Sequence, residues 1–466
     1  MFNRKVLKDM EVWKADVHHK PLILRGARQV GKTTVVNEFG KSFDNYLYFN
    51  MEDQAHRRMF ELEVPLPDLI PLLFASLGKE RHKGSTLIFI DEIQNSPKAI
   101  ALLRYFYEQL PQIFVIAAGS LLENIVDVQV SFPVGRVQYL AMRPCTFYEF
   151  LGAMGEEHLL NILSMNPSMT VPFHNQLMFW FNQYAIIGGM PEAVRKYAEK
   201  RDILSLESTY ETLIQSYKDD TEKYVRGKKL TDVVRFILSY GWAFAGETIT
   251  LGNFANSGYK SREVGDAFRI LEKAMLLELV YPSSSPQQPI IPEMGRKPKL
   301  IWFDTGLVNY QAGIRSEIIG TTETIDKWRG HIAEQITAQE LLGTDCRIGH
   351  RRAFWAKPNN GAEVDFIITS GAQVIPIEVK SGANAHLRSL QVFMDTTDGD
   401  IAVRVWSQPF SIDTVVSPHG KAFRLVNIPF YMIGKIEKIL LHLQMNRVHS
   451  PFVCRRRRIF SIFPIM

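Results

Sequence analysis

Two groups of residues in this chain have the types and spacing to do chemistry. The first is Gly26-Ala27-Arg28-Gln29-Val30-Gly31-Lys32-Thr33, a G-x-x-x-x-G-K-T loop followed by Thr34. Glycines at 26 and 31 free the backbone to curl, so that successive N–H groups and the N-terminus of the next helix point at a polyphosphate. Lys32 then reaches the β and γ oxygens, and the Thr33 hydroxyl ligates Mg²⁺. The flanking elements that such a loop needs are present. Leu22-Ile23-Leu24 reads as the strand entering the loop, and Thr34 to Phe39, without Gly or Pro, as the helix leaving it. ATP and Mg²⁺ are the expected ligands, with nucleotide contacts from Gly26 through Thr34.

Leu87-Ile88-Phe89-Ile90-Asp91-Glu92 runs four apolar residues into two acids, the pattern of a buried parallel strand whose carboxyl end reaches an active site. Asp91 is expected to help hold Mg²⁺ and Glu92 to polarise the attacking water. Another buried strand, Ile113 to Ala117, ends near Ser120, whose hydroxyl senses the γ-phosphate if this strand lies between the other two. Arg136 in Pro133-Val134-Gly135-Arg136 is either an arginine finger, in cis or from a neighbouring subunit, or a surface arginine at the start of a strand. A finger is worth roughly 10³ to 10⁵ in rate.

The second group lies between residues 329 and 380. Arg329 to Leu342 reads as a helix carrying Glu334, Ala362 to Ile368 as a strand carrying Asp365, and Val374 to Lys380 as a strand with Glu378 and Lys380 on one face. These are the parts of a restriction-endonuclease-like site. Asp365 and Glu378 would hold Mg²⁺ on a scissile phosphate, and Lys380 would orient water and stabilise developing charge. The alternative is a nuclease-like fold kept as a binding scaffold, its charges paired with one another.

The elements that must position these groups need several domains, since 466 residues exceed one average domain. Hydrophobic residues at 46% and charged residues at 22% exclude disorder and fibrous classes. The net charge of +5 is too mild to announce a nucleic-acid binder by itself. Cys145, Cys346 and Cys454 lack metal-ligand spacing and fit a reducing compartment. No apolar run approaches the roughly 18 residues of a membrane helix, and a cytoplasmic protein is expected. Residues 1–150 form the ATPase unit, and 151–205 a helical lid or linker with helices over Phe150 to Leu163 and Leu177 to Tyr184. Residues 206–290 form a winged-helix-like module, with helices at Thr231 to Trp242, Leu251 to Asn256 and Ser261 to Leu276 before a strand at Leu277 to Tyr281. Its Lys260, Arg262 and Arg269 are available to DNA phosphates, although such modules also dock proteins. Residues 291–445 carry the nuclease-like set, and 446–466 a basic, disordered tail containing Arg455 to Arg458.

The succession GARQVGKTT, LIFIDEIQ, AAGS, PVGRV and RPCTFYEFL resembles the prokaryotic AAA-type ATPases that carry a C-terminal domain of unknown function. Tyr184 to Glu192 (YAIIGGMPE) is similar to that family's junction segment and Ile301 to Leu307 (IWFDTGL) to a segment of its C-terminal domain, so the resemblance covers residues 18 to 430. It implies an α/β protein with a P-loop NTPase core of the additional-strand type, in which the strand ending near Ser120 sits between the loop strand and the Asp91 strand. It further implies a C-terminal domain similar to the PD-(D/E)xK nuclease superfamily. Oligomerisation is compatible with this reading.

Overall fold

The computed structural model describes residues 3–119, 133, 135–225, 227–313, 326–349, 352–358, 361–380 and 387–448. Ser120, Val134 and the tail beyond residue 448 lie outside them. The chain opens with the helix Val6–Ala15 and then builds a parallel sheet from β1 (Leu22–Arg25), β2 (Asn45–Asn50), β3 (Thr86–Asp91), β4 (Ile113–Gly119) and β5 (Gln138–Ala141). Their order is β2-β3-β4-β1-β5, so β4 stands between the loop strand and the Asp91 strand.

The apolar runs of β1, β3 and β4 are continuous because both faces of this sheet are covered. Alternate side chains go to different clusters: Leu22, Leu24, Leu87, Phe89, Ile116 and Ala118 to one, and Ile23, Ile88, Ile90, Val115 and Ala117 to the other. Lys32–Gly40 packs on the first side. Leu66–Ser76 and Pro97–Gln109 pack on the second.

The expected helix over Phe150 to Leu163 is two, Phe147–Met154 and Glu157–Ser164, parted at Gly155, which takes φ 80°. A Thr146 and Glu149 capping box starts the first. His174–Ile187, Pro191–Lys200, Glu207–Tyr224, Lys228–Tyr240 and Ser261–Lys273 follow. Leu251 to Asn256, expected to be helical, is instead a turn and a short 3₁₀ segment, Phe254–Asn256. Asn253, Ala255 and Asn256 all have positive φ, which an α-helix forbids.

The rest of the chain forms an eight-stranded mixed sheet, in the order β12-β13-β11-β10-β9-β8-β6-β7. Its members are β6 (Leu277–Ser283), β7 (Lys299–Trp302), β8 (Ala353–Ala356), β9 (Glu363–Ser370), β10 (Gln373–Lys380), β11 (Ile401–Trp406), β12 (Ser411–Val416) and β13 (Ala422–Pro429). The strand expected to close the helical module is therefore no separate wing: β6 pairs with β8 at Tyr281 and Ala353. Asp326–Gly343 packs on β7 and β10 and carries Glu334 to this sheet.

The segments Tyr184 to Glu192 and Ile301 to Leu307 form one construction. Asp304 caps Thr305–Gln311 through Leu307 N at 3.1 Å and accepts Gly189 N at 2.6 Å. A Cβ on Gly306 would stand 2.0 Å from the Ile187 carbonyl oxygen, so only glycine fits. Glu340 then ties this region to the start of Phe147–Met154, accepting Phe147 N at 2.9 Å and the Tyr184 hydroxyl at 2.7 Å.

Candidate functional site

The loop between β1 and Lys32–Gly40 has the backbone that its glycines foretold. Gly31, at φ 96°, starts the helix, and Gln29 also takes positive φ at 64°. Gly26 is required for a different reason: a Cβ there would meet the Met142 carbonyl oxygen at 2.4 Å, where the chain after β5 crosses over the loop. Lys32 lies buried with its Nζ donating to the Gly26 and Ala27 carbonyls, both at 2.9 Å. Burial lowers its amine to about 8, against the pull of Glu92 and Asp91.

Thr33 Oγ1 donates to Asp91 Oδ2 at 2.7 Å, bringing together two oxygens that the sequence holds 58 positions apart. Two cis ligands of an octahedral Mg²⁺ at about 2.0–2.1 Å stand roughly 2.9 Å from each other, so this pair fits the ion. Burial raises the Asp91 carboxyl, the Thr33 bond lowers it and Glu92 raises it. A cation at this point would relieve that cost. Glu92 is held in the left-handed region at φ 48°, its own N–H donating to Asp91 Oδ1 at 3.0 Å. This turn sets the second acid beside the first.

Three contacts on the loop come from residues that sequence reasoning passed over. Arg4, 5% exposed, donates to the Val30 carbonyl at 3.0 Å, to the Arg143 carbonyl at 2.6 Å and to Glu149 Oε1 at 3.1 Å. Asp220 pairs with Arg28, and the Tyr217 hydroxyl donates to the Arg28 carbonyl at 3.1 Å. Both belong to Glu207–Tyr224, so an element outside the parallel sheet grips the loop.

Arg136 is not brought to the loop. It precedes β5, which runs parallel to β1 with Gln138 opposite Leu22 and Ala141 opposite Arg25. The loop leaves the opposite end of these strands, about 15 Å away at 3.3 Å per residue. Arg136 there donates to Glu108 at 2.6 Å. Ser120 lies outside the described residues, although β4 does end beside β1 at Gly119.

The second group is brought together, around a residue that the sequence reading missed. Lys299, on β7, is 3% exposed and donates to Glu334 Oε2 at 2.9 Å and Asp365 Oδ1 at 3.2 Å, with Glu363 Oε1 at 2.8 Å. Burial opposes its charge, but Asp365, Glu334 and Glu363 together raise the ammonium above the usual lysine range. Asp365 Oδ2 accepts Val379 N at 2.8 Å, and Lys380 pairs with Glu378 Oε1 at 2.6 Å.

Glu378 Oε2 is buried and has no hydrogen-bond partner among the described residues. Burial and Asp365 raise Glu378 to about 8, against Lys380; burial and Asp365 raise Glu334 to about 7, against Lys299. Among the described residues no three His, Cys, Asp or Glu side chains are gathered as metal ligands. In the helical module, Arg269 pairs with Asp266, and Lys260 starts its helix with its N–H on Glu263 at 3.0 Å.

No curated protein matches the chain. Residues 18–151 match a family model described as an AAA domain. This segment is an AAA-type P-loop ATPase domain. Outside the AAA domain, residues 178–318 and 329–428 match two domains of unknown function, DUF8612 and DUF4143. Lys299 falls in the first of these, whereas Glu334, Asp365, Glu378 and Lys380 fall in the second. Among solved structures, a Walker-type ATPase of Pyrococcus abyssi is 15% identical, covering 67% of this chain and 96% of that one, with a TM-score of 0.42. The Aeropyrum pernix Orc1 protein in complex with DNA is 12% identical over 69% of this chain and 95% of that one (TM-score 0.29). AMPPCP-bound DnaA from Aquifex aeolicus is 14% identical over 56% and 74% (TM-score 0.28). No helix among the described residues is long and apolar enough to cross a membrane.

Proposed function

We propose that this protein binds and hydrolyses ATP with Mg²⁺ at the loop of its AAA domain, and couples the turnover to nucleic acid handled by its C-terminal half. The observation that carries the ATPase reading is the 2.7 Å contact of Thr33 Oγ1 with Asp91 Oδ2, beside a buried Lys32. Thr33 and Asp91 would hold the Mg²⁺, which supplies charge neutralisation between the β and γ phosphates when bound. Lys32 exchanges the Gly26 and Ala27 carbonyls for phosphate oxygens, and backbone N–H groups from Ala27 to Thr34 cradle them. Glu92 orients and polarises the attacking water. Arg136, at the far end of β5, would act as a finger only on a neighbouring subunit's nucleotide.

Coupling runs through Glu207–Tyr224, whose Asp220 and Tyr217 hold Arg28. A polyphosphate that reshapes the loop changes those contacts, and the helix leads directly into the module bearing Lys260, Arg262 and Arg269. Downstream, Asp365 and Glu378 would hold Mg²⁺ on a phosphodiester, with Lys380 at the water and Glu334 supporting the cluster.

A second reading has an observation of its own. Lys299 already pairs with three carboxylates of that cluster, which suits a switch ATPase whose C-terminal domain is a non-catalytic scaffold for DNA or a protein. Purified protein incubated with duplex and single-stranded DNA, Mg²⁺ and ATP separates the readings. Cleavage lost in Asp365→Ala supports the nuclease; no cleavage by the wild type under any condition supports the scaffold. Binding through phosphates would weaken with salt by a slope of about 0.9 per contact on duplex DNA, whereas flat binding favours a protein partner.

A further inference from the structure

β11 closes on Arg404-Val405-Trp406, and its alternation puts Arg404 and Trp406 on one face. Ala402, two residues earlier on that face, is buried in a cluster with Leu390 and Phe393 of Arg388–Asp395, whereas Arg404 and Trp406 are only half-buried. The Arg404 guanidinium lies over the Trp406 ring, with Cζ 3.9 Å from the centroid, a contact that fixes its plane. Its Nε donates to Asn427 Oδ1 at 2.8 Å. Asn427, fully buried on β13, is held in turn by donating to Ser411 Oγ at 2.8 Å and Asp413 Oδ2 at 2.5 Å on β12. Three strands thus fix one side chain. A guanidinium has five N–H groups, and Asn427 takes the one on Nε; those on Nη1 and Nη2 have no hydrogen-bond partner among the described residues. Trp406 Nε1 is a buried donor that also has none among them.

A planar fork with unspent donors takes two oxygens of one anion, a phosphate or a carboxylate. Glu378, opposite Arg404 in the β10 and β11 register, is not that anion: it pairs with Lys380, which stands opposite Trp406. Burial lowers the Arg404 guanidinium from its ordinary value while Asp413 raises it, so an anion on the fork would relieve a standing cost. A nucleic acid fits better than an acidic peptide, because the stacked pair offers an anion-binding fork and a flat surface together, and a strand of phosphates and bases uses both. We propose that Arg404, held flat on Trp406, binds a phosphodiester of a nucleic-acid strand lying across the carboxyl ends of β10 and β11. This rests on the reading that the C-terminal half handles nucleic acid, and needs neither a metal nor cleavage there.

The probe is a fluorescein-labelled oligonucleotide, single-stranded or duplex, added to the full chain with a chelator present and followed by anisotropy across a salt series. Arg404→Met is expected to weaken binding by roughly tenfold or more, because a charge-assisted, two-pronged contact is lost. The salt slope should become shallower by about 0.9 on duplex or about 0.7 on single strands, the share of one phosphate. Arg404→Lys, which keeps the charge without the fork, should recover the slope but only part of the affinity. Wild-type affinity and slope in Arg404→Met overturn the proposal and leave the nucleic-acid reading standing. Should Arg404→Met fail to fold, wild-type protein carries the test: phenylglyoxal modification of Arg404, read by peptide mass spectrometry, should fall severalfold when the oligonucleotide is bound. Modification unchanged at saturating oligonucleotide, or suppressed by polyglutamate alone, overturns the proposal and in the second case assigns the fork to a carboxylate. No nucleic acid bound by the wild type would remove both readings, whereas binding that depends on Arg404 while every substrate stays intact would remove only the nuclease.

Discussion

Replacing Arg4 with methionine keeps most of the side-chain volume and removes the charge, so its effect isolates what the guanidinium does. Its pair with Glu149 is buried, with the two side chains each 6% exposed. Taking one partner from a buried ion pair costs roughly 3–5 kcal/mol, because the other is left charged and desolvated. Glu149 would keep two backbone donors, Lys5 N at 2.6 Å and Thr146 N at 2.8 Å, which places the loss near the lower bound. The Val30 and Arg143 carbonyls would also lose their donor.

About 3 kcal/mol corresponds to a fall of roughly 6–12 °C in melting temperature for a unit of this size. Since Val30 lies in the nucleotide loop, affinity for a fluorescent ATP analogue should fall severalfold with it. Arg4→Met and Glu149→Met combined should cost less than the sum of the two singles by about 1 kcal/mol or more, because the double variant strands no charge. Thermal melts and nucleotide titrations of all four proteins are the assay. A melting temperature within about 2 °C of wild type, with unchanged nucleotide affinity, would refute the clamp.

Other consequences follow from buried ionisable groups and tight backbone approaches. With the Lys32 amine lowered to about 8, its charged form weakens the fold by about 3 kcal/mol below that pH. The penalty fades as pH rises from about 8 toward the ordinary lysine value of 10.5. Phosphate needs the ammonium, so ATP-analogue affinity should decline above pH 8 with proton uptake on binding, seen by calorimetry in buffers of different ionisation enthalpy; a flat profile from pH 7 to 10 would contradict it. Burial raises Glu340 from 4.5 to about 7, against bonds from Tyr184 and Phe147. Its stabilising contribution is whole below pH 4.5 and lost as pH rises through 7. Glu340→Gln should therefore flatten part of the decline in melting temperature between pH 5 and 8, leaving the parts due to Glu334 and Glu378, and an unchanged slope would count against it. Gly306→Ala, forced to 2.0 Å from the Ile187 oxygen, should lose about 3 kcal/mol or more in denaturant titrations. Gly295→Ala, with nothing within 4 Å, should match wild type.

The nucleotide loop was legible because its chemistry is local: two glycines, a lysine and a threonine carry their meaning within eight residues. Apolar runs at Leu22, Leu87 and Ile113 announced buried parallel strands, and the resemblance to AAA-type ATPases supplied their order. Arg4 and Lys299 gave no such signal. Each is one basic residue among many, and each matters only because folding buries it against carboxylates distant in sequence: Glu149 for Arg4, and Glu334, Glu363 and Asp365 for Lys299. Arg136 shows the opposite limit, since a promising local motif says nothing about which end of the sheet it occupies, and its place before β5 bears only on a finger acting in cis. IAVRVW and AFRLVNIP are mostly apolar runs of strand length, a local signal of two further strands in the C-terminal sheet. That β6 joins this sheet depends on pairing with a strand some 70 residues on, which no local pattern records.

ATP turnover by the purified chain with Mg²⁺, set beside Lys32→Ala and Asp91→Ala, tests the central claim most directly. Loss of phosphate release by roughly a hundredfold or more in both variants is the expected result, since each removes a group that meets the transferring phosphoryl or its metal. Wild-type turnover in Lys32→Ala would contradict the phosphate-loop assignment and, with it, the coupling built on Arg28 and Asp220.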